Sequence, residues 1–336
     1  MPLLTNHDLR VWADDQELTD LLFAESDYRL VSILEAIYGD TFLAEQLLMK
    51  GGTAINKLYL GETSRLSLDL DFNHIGPKEK VLGERRAIRE QLCTLLREQD
   101  KSYATHWQPT YGQTTIKARY KTLAGPIRSL KIEISHVERF PILPSVQKQV
   151  KTPKGPINAA TYTLAELTST KLRALMERLK GRDIYDLYYI FPLKPDPTTT
   201  RKMFLYYFYK SRKVFNPNIH YQNLTKKYEN NSFADDVSDF VKPTVKFNLS
   251  AATKEVISSY SFLSEFDSQD RDFLQLGSML LGRNVPKEHM AKLRKIKNPL
   301  AHLFKGIEIS KEARAISTNE IKPYRKHKPK TGVPQK

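Results

Sequence analysis

A single cysteine, Cys93, stands in a chain of 336 residues, so an internal disulfide is excluded and a cytoplasmic protein is expected. It falls among Ile88, Leu92, Leu95 and Leu96 at helical spacing and reads as a core residue. Long apolar runs are missing as well. No stretch approaches the roughly eighteen residues that a membrane span needs, so no membrane association is expected. The start, Met1 to Asp8, has neither a basic opening nor an apolar block, and a secretory signal is not expected. Acids become scarce after the opening segment. Residues 1–50 hold ten Asp/Glu against three Lys/Arg, a balance of −7, so with a net charge of +15 the remainder carries +22. That asymmetry suggests a polyanionic partner for the later part of the chain. No internal repeat is detected. Hydrophobic content of 40% and charged content of 27% fit an ordinary globular protein with room for two domains.

What is present centres on Lys50-Gly51-Gly52-Thr53-Ala54-Ile55-Asn56-Lys57, followed by Ser64-Arg65-Leu66-Ser67-Leu68-Asp69-Leu70-Asp71-Phe72. The first reads as a glycine turn opening a short helical piece, the second as a strand. In that strand Leu66, Leu68, Leu70 and Phe72 share one face, and Ser67, Asp69 and Asp71 share the other. Two carboxylates on one strand face repel each other unless a cation or a proton intervenes. Mg²⁺ suits such a pair, completed by substrate phosphates and water. The glycines offer backbone N–H groups with no Cβ to obstruct a phosphate. Alone, a Gly-Gly is usually a loop and an Asp-x-Asp a solvated edge. Together and in this order they are the arrangement of a nucleotidyltransferase.

The flanking segments are read as follows. Residues 8–49 are expected to be helical, with Val31, Leu34, Ile37 and Tyr38 in phase, then Leu43, Leu47 and Leu48 after the Gly39-Asp40 break. His74 reads as a loop residue rather than a ligand. An amphipathic helix is expected over 84–99, and strands over 114–120 and 130–135. In the second of these strands Leu130, Ile132 and Ile134 face the core, and Glu133 projects oppositely. If that strand lies beside the acidic one, Glu133 becomes a third metal-binding acid; otherwise it is a solvated edge residue. Residues 141–160 read as a loop or linker. Thr163 to Glu166 reads as a capping box opening a leucine-rich helix that carries Lys171 and ends near Gly181. Asp183 opens the next helix, where it has the position of a cap. From Arg201 to Tyr228, Lys and Arg alternate with aromatic rings, including Phe204, Tyr206, Tyr207, Phe208, Tyr209 and Phe215. That pattern suits stacking on unpaired bases, and equally a helix with an aromatic core side. Residues 251–300 read as further helices, with a second basic cluster at Lys287, Lys292, Arg294, Lys295 and Lys297.

These residues resemble the AbiEii/AbiGii toxin family, a branch of the DNA polymerase β-like nucleotidyltransferases. The likeness rests on the Lys50–Ala54 and Arg65–Phe72 motifs, on Lys171, and on Arg182-Asp183-Ile184-Tyr185-Asp186-Leu187-Tyr188. It spans roughly residues 10–195. The resemblance implies an α/β, bilobed fold with a small mixed sheet flanked by helices and a mainly helical C-terminal half. The expected division is a nucleotidyltransferase domain over 1–150, a helical domain over 151–320 completing the active site, and a disordered basic tail over 321–336. It implies the toxin of a toxin–antitoxin or abortive-infection (phage-defence) system, with a cognate antitoxin as partner. It implies an NTP substrate, Mg²⁺ or Mn²⁺, and transfer to an RNA acceptor such as the tRNA 3′ end, which blocks translation. Carried over by motif, Lys50, Gly51, Gly52, Thr53, Lys57, Arg65 and Ser67 would hold the triphosphate. Asp69 and Asp71 would hold the metal, with Glu133 as third acid. Lys171 would contact phosphates, and the acid of the last motif is either Asp183 or Asp186. Two other readings keep the residues but change the chemistry: an acceptor that is a small molecule or protein hydroxyl, or a non-catalytic RNA-binding protein.

Overall fold

The computed structural model describes residues 4–110, 112–230 and 237–321. The expected basic tail lies, from residue 322 on, outside the described residues. The chain opens with α1 (Asn6–Asp15), α2 (Leu21–Gly39) and α3 (Thr41–Gln46). Thr5 and Asp8 close a capping box on α1, and the Asp20 and Asp40 carboxylates cap α2 and α3. Each cap accepts from N–H groups that the first helical turn cannot satisfy internally.

The expected helical entry ends earlier than its leucines suggest. Leu47 and Leu48 belong to a strand, β1 (Leu47–Lys50), that leads into α4 (Gly51–Leu58). Leu47, Leu48 and Met49 are all fully buried. A strand covered on both faces shows a continuous apolar run, which periodicity cannot tell from a helical turn. The acidic strand, β2 (Asp69–His74), starts only at Asp69, so Ser64 to Leu68, read as part of it, precede it; then follow α5 (Val81–Gln99), β3 (Ala104–Pro109), β4 (Gln113–Lys121) and β5 (Ile127–Ser135). The presumed linker at 141–160 carries a hairpin, β6 (Val146–Val150) and β7 (Ile157–Thr161). Its edge strand exposes Gln147, Lys148 and Gln149, and such polar edges imitate loops in composition. The exposed edge strand β3 gave no signal for the same reason.

The seven strands form one mixed sheet in the order β3-β4-β5-β2-β1-β7-β6, so the acidic strand is central and the sheet continues beyond residue 150. β2 pairs antiparallel with β1 and parallel with β5. Leu70, Phe72, Ile132 and Ile134 point into a core shared with Leu30 and Leu34 of α2 and Ile88 and Leu92 of α5. Each such side chain contributes roughly 1.5–3 kcal/mol on burial. Their burial fixes register, because a slip of one residue would turn the acids into this core.

The remaining elements are helical: α6 (Leu164–Arg178), α7 (Gly181–Ile190), α8 (Pro197–Lys210), α9 (Pro217–Glu229), α10 (Leu249–Ser259), α11 (Ser268–Leu280), α12 (Lys287–Leu293), α13 (Pro299–Leu303) and α14 (Lys311–Ala315). They enclose a second core, and α8 runs through it. Phe204, Tyr206, Tyr207, Phe208, Tyr209 and Phe215 are all buried there, so these rings are packing and are not available to stack on bases. Arg201 and Lys202 are buried with them, held by Asp270 at 2.7 and 3.1 Å. α6 and α11 supply partners for its rings and its charges, which sequence periodicity alone leaves open.

Candidate active site

The end of β1 and the start of β2 lie side by side, Lys50 opposite Asp71. Between them the chain turns at Gly51, whose φ of +76° suits glycine, and enters α4 with its first N–H groups uncapped by any side chain. A Cβ at Gly51 would sit 2.3 Å from Asp71 Oδ2, so the turn is moulded against the carboxylate. Burial pushes the Asp71 carboxyl up to about 6; Glu133 and Asp69 add to this, while Lys50 and Lys131 oppose it. The parallel register sets Asp71 beside Glu133 and Asp69 beside Lys131. The condition on which Glu133 would join the acids, that its strand neighbours theirs, is therefore met.

Lys131 lies between the two outer acids, 3.2 Å from Asp69 Oδ2 and 3.5 Å from Glu133 Oε2. Among the described residues no three His, Cys, Asp or Glu side chains converge as an all-protein metal cage would require. The donor set still fits a divalent ion: Asp69 and Asp71 offer two hard oxygen ligands on one face, and Mg²⁺ is commonly held by one or two carboxylates plus phosphates and water. Glu133 then stands at the rim, partly exposed and engaged with Lys131.

Behind the turn is a buried charge cluster. Arg65 grips Asp186 with two hydrogen bonds of 2.8 and 2.9 Å, Lys171 donates to it at 2.8 Å, and Asn56 Nδ2 at 3.1 Å. Burial alone would raise the Asp186 carboxyl, but Arg65 and Lys171 outweigh it and hold it down to about 2. Lys171 also reaches Asp183 at 3.2 Å, and Arg178 makes two bonds of 2.8 Å to the same carboxylate. Burial raises Asp183, yet Lys171 and Arg178 bring it below the usual carboxylate range. Both acids are thus held towards the ionised form as anchors. A reversal of the chain builds the cluster. α6 ends on Leu179 in the left-handed region (φ +54°), and Gly181, expected as its cap, is the first residue of α7. The fold back brings both acids of α7 against Lys171 of α6.

A cavity of about 230 Å³ opens between the sheet and α6, lined among others by Lys50, Gly51, Gly52, Asp71 and Lys171. Thr53 and Ser67 lie beneath the turn, joined hydroxyl to hydroxyl at 2.6 Å, and Thr53 also donates to the Asp69 carbonyl. Lys57 is not brought to the site. It is 2.5 Å from Asp27 Oδ1 of α2, a full turn past the glycines. Thr163 caps α6 by accepting from the Glu166 amide, but the Glu166 carboxylate does not close the expected capping box. That carboxylate takes the amides of Ile142 and Leu143 at 2.8 and 3.1 Å and the Tyr207 hydroxyl at 2.5 Å. Burial pushes it up to about 7 against those three donors.

Several contributors escaped sequence reasoning. Asn56 holds the Gly52 carbonyl, the Arg65 amide and Asp186 together. An asparagine inside a short helix was the available signal, since it is a poor helix former. Asn73, Glu138 and Tyr162 line the cavity, with Asn73 donating to both of the others. These gave no signal, because only folding brings them together. His74 is no loop residue: it closes β2, fully buried, 3.1 Å from His136. Cys93 is half-buried at the margin of the sheet core.

Comparison with known proteins agrees with this geometry. The family model described as nucleotidyl transferase AbiEii toxin, type IV TA system, matches residues 32–260. Among solved structures, the nucleotidyltransferase toxin MenT4 of Mycobacterium tuberculosis H37Rv superposes with a TM-score of 0.64 at 20% identity, covering 90% of this chain and 99% of that one. At that identity the likeness is one of fold. No curated protein sequence matches the chain.

Proposed function

The chain belongs to the AbiEii nucleotidyltransferase toxin family of type IV toxin–antitoxin systems, and from that premise we propose that it transfers a nucleotide from an NTP to a hydroxyl of RNA, the tRNA 3′ end, so blocking translation. The family implies an NTP substrate and a cognate antitoxin. The observation that carries the reading is the central-strand acid pair facing a glycine turn so tight that Gly51 admits no side chain beside Asp71.

In this mechanism the triphosphate lies along the first N–H groups of α4, with Lys50 and Lys171 neutralising its oxygens. Asp69 and Asp71 would hold a divalent cation jointly with the phosphates; such an ion would offset charge developing on the leaving pyrophosphate. The acceptor hydroxyl oxygen bonds to the α-phosphorus as the bond to the bridging oxygen breaks. The proton passes to a carboxylate. Asp186 is a poor choice, being held near 2 by Arg65 and Lys171, whereas Glu133 stands partly exposed on the face that carries Asp71. Asp186 and Asp183 serve as positioning residues that aim Arg65, Lys171 and Arg178. In the same reading the helical unit from α6 onward completes the site, and the sheet-bearing unit ends at Thr161 rather than at 150.

Incubating the protein with total RNA and each labelled NTP tests this. Wild-type protein should label RNA, and Asp69→Ala should abolish labelling while its circular dichroism melt stays unchanged. Continued labelling by the variant would overturn the assignment of the acids, and labelling confined to small molecules would overturn the RNA acceptor.

A further inference from the structure

With the rings of α8 buried, the sequence leaves one other strong candidate for a polyanion surface: the basic stretch around α12 and α13. Arg283, Lys287, Lys292, Arg294, Lys295 and Lys297 are all exposed, and Glu288 is the lone acid between 281 and 305. Lys292 is paired with Asp272 at 2.6 Å. Among the described residues the other five cations have no carboxylate within ion-pair distance. Unopposed charge at this density repels itself and is relieved by a bound polyanion.

Two features set this patch apart from an ordinary wet surface. The first is its rigidity. The turn carrying Arg294, Lys295 and Lys297 is anchored by Leu293 and Leu300, both buried, Leu300 in the second core. Its backbone is clamped from across the fold: Thr318 donates to the carbonyls of Ile296 and Lys297, and Asn298 donates to the Arg314 carbonyl at 2.6 Å. Three cations are therefore presented on fixed backbone, which lowers the ordering cost of binding. The second is its chemistry. No large apolar side chain is exposed between 281 and 305, whereas a protein-binding patch normally has an apolar centre. The patch is also tied to the catalytic cleft. Ser310, following α13, bonds the carbonyls of Pro141 and Ile142 at 2.7 Å each, and the Ile142 amide is held by Glu166 of the cavity wall.

We infer that the α12–α13 turn docks the phosphate backbone of the RNA acceptor away from its reacting end, with Arg294, Lys295 and Lys297 as its central contacts. The inference rests on the RNA reading above and adds a second, sequence-independent anchor to it. Phosphate contacts of this kind position a nucleic acid without reading its bases.

The test uses full-length protein and a fluorescently labelled transcript of a stem-loop ending in single-stranded CCA, with anisotropy read across a salt series. Wild-type affinity should fall steeply with salt. The variant Arg294→Glu/Lys295→Glu/Lys297→Glu should bind at least tenfold more weakly, and its log–log salt slope should be shallower by about 2–3, near 0.9 per lost phosphate contact for a duplex. The neutral variant Arg294→Gln/Lys295→Gln/Lys297→Gln should fall between, and both should keep the wild-type melt. Unchanged affinity and slope in the two triple variants would overturn the surface, as would loss of an acidic protein partner with RNA binding intact. Weakened binding would uphold it even if no NTP labelled RNA, so failure of the transfer reading is told apart by the labelling assay.

Discussion

At Gly51 the requirement is steric and local. The residue lies at φ +76°, and a methyl group would overlap the Asp71 carboxylate. Gly51→Ala should cost about 1 kcal/mol or more from backbone strain alone. It should also push Asp71 from its place, so NTP-dependent labelling should fall by at least a hundredfold while the protein remains folded, as read by a urea melt. Labelling within a few-fold of wild type would show that the turn does not shape the site. Asp186 has the opposite profile, since it matters first to stability. Its side chain is fully buried and receives Arg65, Lys171 and Asn56. Removing one member of a buried ion cluster leaves the others charged and unpaired, at a cost of roughly 3–5 kcal/mol. Asp186→Ala should lower the urea midpoint by that equivalent. Asp69→Ala, at a side chain about half exposed, should shift it by no more than about 0.5 kcal/mol. Equal effects from the two would contradict the division into anchoring and reacting acids.

Among elements, the packing of α5 against β2, β4 and β5 makes a pH-sensitive seam. His74 of β2 and His136 just after β5 meet at Nδ1, 3.1 Å apart. Around them stand Glu84 and Gln46 on the His74 side, Thr114 on the His136 side, and the charges of Arg85 and Arg139. Burial, then Arg85 and His74, push His136 down from 6.5 to about 3, and burial also lowers His74 despite Glu84. Between those two pH values the unfolded chain binds a proton that folded His136 refuses. Its contribution to stability is therefore complete above about pH 6.5 and is lost as pH falls towards 3, at up to about 1.4 kcal/mol per pH unit. Urea midpoints measured from pH 7 to pH 4 should decline in the wild type and decline less steeply in His136→Gln. Parallel curves would show that the pair does not titrate with folding.

Considered as a whole, the molecule has two cores, one around the sheet and one around α8, with the cavity against α6 between them. Its charge follows the same division. The opening acids are consumed locally, Asp27 by Lys57 and Glu35 by Lys154. The basic excess appears on the helical unit, where the α12–α13 turn stays unopposed.

The sequence by itself determined the acidic strand, the glycine turn, the class of chemistry and the family, because these depend on short-range constraints. Alternation forces Asp69 and Asp71 onto one face, and a positive φ selects glycine. Only the tertiary structure decided the rest. It gave Lys57 to Asp27, turned Glu166 from a cap into a loop anchor, made Asp183 and Asp186 anchors of one cluster, and buried the rings of α8. Each of those outcomes depends on which distant segment supplies the counter-charge or the covering surface. Neighbours in sequence carry no record of that choice, since burial and ion pairing are settled by partners tens to hundreds of residues away.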